Sequence, residues 1–159
     1  KIKGTWKNAN ADKEEAADKL ANIGISLETL IGSLDETHKD KGPAIIRLRE
    51  AFNPDYITEN IPGSMYVAYS VNKGEELSIC IRNKETEKFM DNNIILFVAI
   101  HEIAHIMTSE TGHTEAFWDN MKYLLQEAIS MGIYQYTDYS VQPTVYCGME
   151  INATPLKKQ

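Results

Sequence analysis

Residues 101–105 read His-Glu-Ile-Ala-His, a set of side chains that can bind and use a zinc ion. Side chains four positions apart on an α-helix stand on one face, with Cβ atoms roughly 5–6 Å apart. His101 and His105 can therefore hold one zinc ion through their ring nitrogens. Glu102 lies next to that face, where its carboxylate can reach a water molecule on the metal and act as general base. The motif predicts zinc-dependent hydrolysis.

A catalytic zinc site needs a third protein ligand and an open fourth position. We take His113 as the third ligand, because Gly112 before it allows the chain to turn back after the helix. Glu127, within the next predicted helix, is the alternative and would give a His-His-Glu site. Zinc is the predicted cofactor in either case.

Four helices and two strands are predicted around the motif from the spacing of apolar residues. The apolar stretch that contains the motif begins near Asp91 and is too long for a typical strand, so we predict a helix buried on most sides. Alternation of Leu77, Ile79 and Ile81 with polar neighbours predicts a strand. The predicted helices cover residues 10–37, 43–52, 91–107 and 114–131, and the strands cover 65–71 and 77–82, joined by a turn at 72–75.

This order of elements predicts an α+β fold, with helices around a small, mainly antiparallel sheet. The chain has 159 residues, the length of one ordinary domain. We expect a single domain over residues 1–159. Its parts are a helical segment at about 10–52, a sheet and active-site segment at about 61–131, and an irregular tail at 132–159 that shows no helical period.

The charge balance bears on the class of partner. Lys plus Arg number 16 against 23 for Asp plus Glu, which gives a formal net charge of −7. Proteins that grip nucleic acid need clustered cations to neutralise phosphates. The net negative charge therefore argues against strong DNA binding by this chain. The one modest basic cluster is expected to be a solvated face; it contains Lys39, Lys41, Arg47 and Arg49.

Two counts bear on cellular location. The apolar run at 94–100 is far shorter than the about 20 residues of a membrane span, so none is expected in this chain, while an anchor before Lys1 stays open. Cys80 and Cys147 are too few for a disulfide scaffold or a four-cysteine zinc site. This count fits two alternatives equally well: a single disulfide bridge between the two cysteines, or two free thiols in a reducing compartment. We expect an intracellular protein, cytoplasmic or nuclear.

Residues 112–118 read Gly-His-Thr-Glu-Ala-Phe-Trp. Together with residues 101–105 they resemble the WLM family of zinc metalloproteases and the related Spartan/SprT-like family. In those families a third histidine follows the motif helix in a loop, and an aromatic pair stands shortly after it. Phe117 and Trp118 match that pair, and we expect both to be core residues as well. The resemblance covers roughly residues 45–130.

The resemblance implies a zincin-type fold in which an edge strand lies beside the zinc and binds substrate as an extended chain. By motif position it implies His101, His105 and His113 as zinc ligands and Glu102 as the catalytic base of an endopeptidase. Its implied partners are a protein or peptide substrate and, because the best-known task of these families is cleaving proteins crosslinked to DNA inside cells, DNA. Thr108 stands where metzincins have glycine, so those families are not implied.

Peptide hydrolysis also needs a donor for the negative oxygen that develops at the attacked carbonyl. Tyrosines of the tail can donate, and we single out Tyr139 and Tyr146. By analogy we place Met149 beneath the site as a floor. Either predicted strand, 65–71 or 77–82, could pair with an extended substrate.

The competing interpretation is a zinc-binding structural or interaction module without proteolytic activity. A structural zinc site is closed by four ligands, and Glu127 or Cys147 could supply the fourth. Two further alternatives are a His-His-Glu peptidase that uses Glu127 as its third ligand, and a nucleic-acid-associated protein with a decayed site.

Overall fold

Four α-helices and two small sheets form the fold in this computed structural model, which describes residues 13–60, 68–71, 76–83, 85–147 and 149–156. The α+β fold class is therefore as predicted. The helices are α1 (Lys13–Ser33), α2 (Gly42–Ala51), α3 (Asn92–Met107) and α4 (Glu115–Ser130). The strands are β1 (Ile57–Glu59), β2 (Ala68–Val71), β3 (Glu76–Ile79), β4 (Thr144–Tyr146) and β5 (Met149–Ile151).

The first helix buries the apolar face that the sequence predicts, with Ile23, Leu27 and Leu30 almost fully enclosed. It ends at Ser33 rather than at residue 37. The cause is a local turn, because the Asp35 carboxylate accepts the backbone N–H of Thr37 at 2.9 Å. Such side-chain acceptors compete with helical hydrogen bonds. Residues 10–12 of the predicted helix lie outside the described residues.

The second helix lies as predicted, with a proline in its first turn and Ile45 and Leu48 fully buried. Its Arg49 guanidinium donates to the carbonyl oxygens of Ile31 (3.1 Å) and Gly32 (3.2 Å) at the end of α1. Carbonyl groups in the last turn of a helix lack their usual partner four residues later, so the arginine helps to satisfy these two and joins the two helices.

The larger sheet has the order β1-β3-β2 and is mixed. β3 pairs antiparallel with β2, as the predicted hairpin requires, but parallel with β1. The sequence did not reveal β1, because three residues after a 3-10 turn at Pro54–Tyr56 are too few to show alternation. The ladder of β3 also ends at Ile79, earlier than predicted. Residues 65–67 and the turn at 72–75 lie outside the described residues.

The third helix is the centre of the fold, since it contacts α1, α2, α4 and the strands β2 and β3. It starts after the N-cap residue Asp91 and is buried along nearly its whole length, which confirms the predicted buried helix. Within the described residues, no helix is both long and apolar enough to cross a membrane.

The tail is more regular than predicted. Residues 144–146 pair antiparallel with residues 149–151, and Tyr146 is completely buried. Strands of three residues give no periodic signal, which is why the sequence did not reveal them. Cys147 lies in the turn between the two strands and is disulfide-bonded to Cys80, directly after β3. The tail is thus fastened to the sheet next to the central helix.

Candidate metal centre

Two helices and the loop between them bring three imidazoles together. His101 and His105 stand one helical turn apart on α3, and the loop after α3 turns back at Gly112, whose φ is +84°. This turn brings His113 over the helix, with its Nε2 atom 3.2 Å from Nε2 of His101. One potential ligand atom from each of the three histidines lies within 4.8 Å of the others.

The distance between the nitrogens of His101 and His113 fits a tetrahedral zinc ion. Two nitrogens each 2.0–2.1 Å from such an ion lie about 3.3–3.4 Å apart, close to the 3.2 Å between His101 and His113. Three neutral imidazoles are also the donor set of a known class of catalytic zinc site, with a fourth position left for water. The geometry supports His113 as third ligand, whereas Glu127 is not a member of this cluster.

The protonation state of His101 suits a ligand. Burial, followed by the neighbouring His105 and His113, lowers the pKa of His101 to about 4. The ring is therefore neutral at physiological pH, and only a neutral ring nitrogen can bind a metal.

Glu102 lies beside the three imidazoles and is 8% exposed. Its Oε2 atom is 4.0 Å from Nε2 of His101, too far for a direct hydrogen bond and near enough to share a water molecule. Burial raises the pKa of this carboxyl group to about 7. A carboxyl group with that pKa can take up and release a proton near neutral pH.

The aromatic pair on α4 packs against the histidines in two ways. The Phe117 ring stacks on His105 with ring centroids 4.2 Å apart, and the Trp118 ring stacks on His113 at 5.5 Å. Phe117 is fully buried, as predicted. Trp118 was also predicted to be a core residue, and this is wrong, since it is 40% exposed. Its ring lies at the surface, where it covers His113 in the loop.

A cavity of about 420 Å³ opens beside Trp118. Its walls combine one face of α4 with the end of the tail; they include Glu115, Trp118, Lys122, Ala153 and Pro155. Trp118 is the wall residue that also contacts His113, and none of the three histidines lines the cavity.

Two side-chain hydrogen bonds fix the start of α4: a cap at Thr114, where the sequence places the N-cap at Thr114 or His113, and a bond from Asn120 that the sequence did not reveal. The Thr114 hydroxyl caps the helix by accepting the N–H of Phe117 at 3.2 Å. One turn later the buried Asn120 donates to the hydroxyl of Thr108 at the end of α3 (2.9 Å). The signal available was a polar residue on the apolar face of α4, where Asn120 stands three positions after Phe117. These bonds hold the two ends of the loop that carries His113.

Three tail residues were expected at the site: Tyr139, Tyr146 and Met149. Tyr139 and Met149 lie elsewhere. Tyr139 is buried with its ring edge-on to Phe97, 4.7 Å between centroids, in the half of α3 that precedes the motif. Met149 is 47% exposed on β5, so the predicted floor of the site is wrong. Tyr146 is buried, and its hydroxyl accepts the N–H of Cys80 at 2.9 Å. The Glu102 charge is close enough to contribute, after burial, to raising the pKa of Tyr146.

The family model of the WLM domain matches residues 44–152. This chain belongs to the WLM family. WLM domains are a zinc metalloprotease-like family, which confirms the resemblance seen in residues 101–105 and 112–118. The three histidines of the cluster and Glu102 all fall within the matched region.

Relatives of this WLM domain occur in viruses. It is 33% identical over 149 residues to the uncharacterized protein R325 of Acanthamoeba polyphaga mimivirus, covering 92% of this chain and 76% of the relative. It is 38% identical over 72 residues to the uncharacterized protein 136R of Invertebrate iridescent virus 6, covering 44% of this chain and 40% of the relative. No solved structure matches the chain.

Proposed function

We propose that this WLM domain is a zinc-dependent endopeptidase with a zincin-type fold. In this proposal His101, His105 and His113 hold the zinc ion, and Glu102 is the general base. The observation that carries the proposal is the cluster of three ligand nitrogens within 4.8 Å, with the Glu102 carboxylate 4.0 Å from His101. The family match supports the metalloprotease class.

Glu102 performs the proton transfers of the reaction. Zinc, when bound, supplies a Lewis acid that lowers the pKa of a water molecule from 15.7 towards about 7. Glu102 takes the proton from the attacking water and passes it to the leaving amine. In the metal-free chain, burial raises the pKa of this carboxyl group to about 7.

The polypeptide substrate pairs, in this proposal, with the outer edge of β2. The two predicted strands are not equivalent: in the described sheet β3 has a partner on each side, whereas β2 pairs with β3 alone. A strand paired on both sides cannot accept a third, so β3 is ruled out as the docking strand. β2 also contacts α3, the helix that carries His101 and His105.

Two observations weigh against the alternatives. A closed structural zinc site lacks the fourth ligands named for it, since Cys147 is consumed in a disulfide and Glu127 lies outside the histidine cluster. Members of the basic cluster also have partners within the chain, which argues against a DNA-binding face. Lys41 pairs with Asp119 at 2.5 Å, and Arg47 donates to the carbonyl oxygen of Met107 at 2.9 Å.

The test combines metal analysis with a peptidase assay on an unfolded protein substrate. The metal-loaded chain is expected to hold one zinc ion and to cleave the substrate. Glu102→Gln is expected to keep the zinc and to lose hydrolysis by about 10²–10⁴-fold, the usual contribution of a general base. Glu127→Gln is the matched control and should keep both zinc and activity. A Glu102→Gln chain that cleaves at the parent rate contradicts the proposal.

The same assay with added single-stranded or duplex DNA tests the substrate class. We expect equal rates with and without DNA, because Lys41, Arg47 and Arg49 are engaged in contacts within the chain. Hydrolysis that occurs only with DNA contradicts this part of the proposal.

A further inference from the structure

One aromatic ring contacts all three imidazoles of the metal centre. Measured between ring centroids, the Phe117 ring lies 5.0 Å from His101, 4.2 Å from His105 and 5.1 Å from His113. It is stacked on His105 with 25° between the ring planes, and it meets the other two edge to face at 71° and 66°. Stacked and edge-to-face pairs are the favourable arrangements of aromatic rings. Phe117 is therefore a shared neighbour of the three rings.

The imidazoles need such a neighbour if their nitrogens are to converge on one ion. The χ2 torsion of histidine has broad minima, so the backbone fixes where each ring starts but not where its nitrogens point. His101 and His105 are half-buried and His113 is exposed, so each ring borders on space in which it could turn. Contact with one common ring narrows the orientations of all three together.

Phe117 is itself held firmly. Its side chain is fully buried, and its backbone N–H donates to the hydroxyl of Thr114, the N-cap of α4, at 3.2 Å. The cap places Phe117 in the first turn of α4, four positions after His113. The ring thus lies where the loop, the end of α3 and the start of α4 meet.

The indole of Trp118 adds a second contact to the loop histidine. It stacks on His113 with ring centroids 5.5 Å apart, and it meets Phe117 edge to face at 4.9 Å. His113 therefore lies between two aromatic rings that also contact each other. Trp118 is at the surface, so the buried Phe117 ring is the firmer of the two supports.

We propose that Phe117 is a positioning residue of the metal centre, whose ring holds the three imidazoles in the orientation that binds zinc tetrahedrally. It acts through the ligands and touches neither the substrate nor the reacting atoms. The inference rests on the proposed function, since it concerns the ligands named there. Residues that orient metal ligands typically contribute about 10–100-fold to metal affinity or activity, and we expect an effect of that size.

The test removes the ring and keeps an apolar side chain in its place. Phe117→Met should still fold, because methionine fills irregular space in a core. The dissociation constant for zinc, from a competitive titration, is expected to rise by about 10–100-fold. The visible absorption of the cobalt-substituted chain should shift and weaken, since it reports departures from tetrahedral geometry. At saturating zinc, kcat should fall while KM stays unchanged.

Leu124→Met is the matched control, because Leu124 is also fully buried and lies two turns further along α4. Urea unfolding of the metal-free chains measures what each methionine costs the fold. Leu124→Met should keep the zinc affinity, the cobalt spectrum and the kcat of the parent. Phe117→Leu is a second variant without the ring, and it should repeat the behaviour of Phe117→Met.

The outcomes distinguish the two proposals. A folded Phe117→Met or Phe117→Leu chain with parental zinc affinity and cobalt spectrum overturns the positioning role. An equal loss of zinc affinity in Leu124→Met also overturns it, because the effect would then come from the fold as a whole. A parent chain that binds zinc but cleaves nothing overturns the proposed function alone, since affinity and spectrum still decide the role of Phe117. A parent chain that binds no zinc overturns both.

Discussion

The side-chain amide of Asn120 donates a hydrogen bond to the hydroxyl of Thr108, 2.9 Å away, and joins the two helices that flank the loop of His113. The Thr108 hydroxyl donates in turn to the carbonyl oxygen of Ala104 at 2.7 Å. Lys41 donates to the other end of the Asn120 amide at 2.9 Å. This buried chain of hydrogen bonds fixes the distance between the end of α3 and the start of α4, and therefore the position of His113.

Asn120→Ala is expected to weaken both folding and metal binding. It removes the buried hydrogen bond to the Thr108 hydroxyl and one of the acceptors of Lys41, and the two lost bonds together cost about 1–3 kcal/mol of the free energy of unfolding. Zinc affinity should fall because the loop of His113 loses one anchor. Denaturant unfolding and a competitive zinc titration measure the two effects. Gln126→Ala, at an exposed position of the same helix, is the control and should leave both quantities unchanged. Parent-like zinc affinity in Asn120→Ala would show that the hydrogen bonds do not position the loop.

Gly112→Ala is expected to lower zinc affinity, and by more than its loss of folding stability accounts for. The φ of +84° costs an L residue roughly 1–2 kcal/mol, although the space around Gly112 is open. Gly132→Ala is a matched control, because Gly132 has a φ of +74° and equally open surroundings but lies after α4. Both variants should lose similar stability, and only Gly112→Ala should bind zinc more weakly. Equal zinc affinity in the two variants would contradict this role of the loop.

Two buried groups of the metal-free chain should give opposite pH dependences of stability. Glu102 has a pKa raised from 4.5 to about 7, so the folded state holds this proton more tightly and stability falls as pH rises through that window. His101 has a pKa lowered from 6.5 to about 4, so stability falls as pH drops from 6.5 to 4. Each effect amounts to about 3 kcal/mol.

These effects overlap between pH 4.5 and 6.5, where they oppose each other in the parent chain. Glu102→Gln should unmask the histidine, so that stability rises with pH up to about 6.5 in the presence of a chelator. His101→Gln should show the reverse slope up to about pH 7. Urea unfolding across this range measures both. A flat profile in either variant would mean that the remaining group titrates as it does in water.

Removal of the disulfide should lower stability without unfolding the chain. The bond joins residues 67 positions apart, and the chain-entropy argument assigns such a loop about 4 kcal/mol. Cys147→Ser should therefore melt roughly 10 °C lower than the oxidised parent. Reduced parent and Cys147→Ser should melt at similar temperatures, measured by circular dichroism. A melting temperature equal to that of the oxidised parent would show that the bond does not hold the fold together.

The sequence predicted the elements that a long apolar pattern or a neighbouring capping residue marks within one segment of the chain. The buried helix α3 follows from an apolar run that spans several turns, and the start of α4 follows from Thr114 as a capping residue. The pairing of His101 with His105 is also local, because helical geometry alone sets their separation.

What the sequence did not predict depends on contacts between distant segments. β1 and the tail strands are three residues each and exist because neighbouring strands supply their hydrogen bonds. The surroundings of Tyr146 depend on Cys80, 66 positions earlier in the chain. No residue pattern near Tyr146 indicates that its hydroxyl accepts a hydrogen bond from the end of β3, so this contact became visible only in three dimensions.

The separation along the chain also suggests an order of assembly. His101 and His113 are 12 positions apart, whereas the two cysteines are separated by 67. Closing the shorter loop costs about 1.5 kcal/mol less conformational entropy. The three imidazoles can therefore surround a metal ion while the tail is still undocked. Metal binding and docking of the tail on the sheet are therefore separable steps of folding.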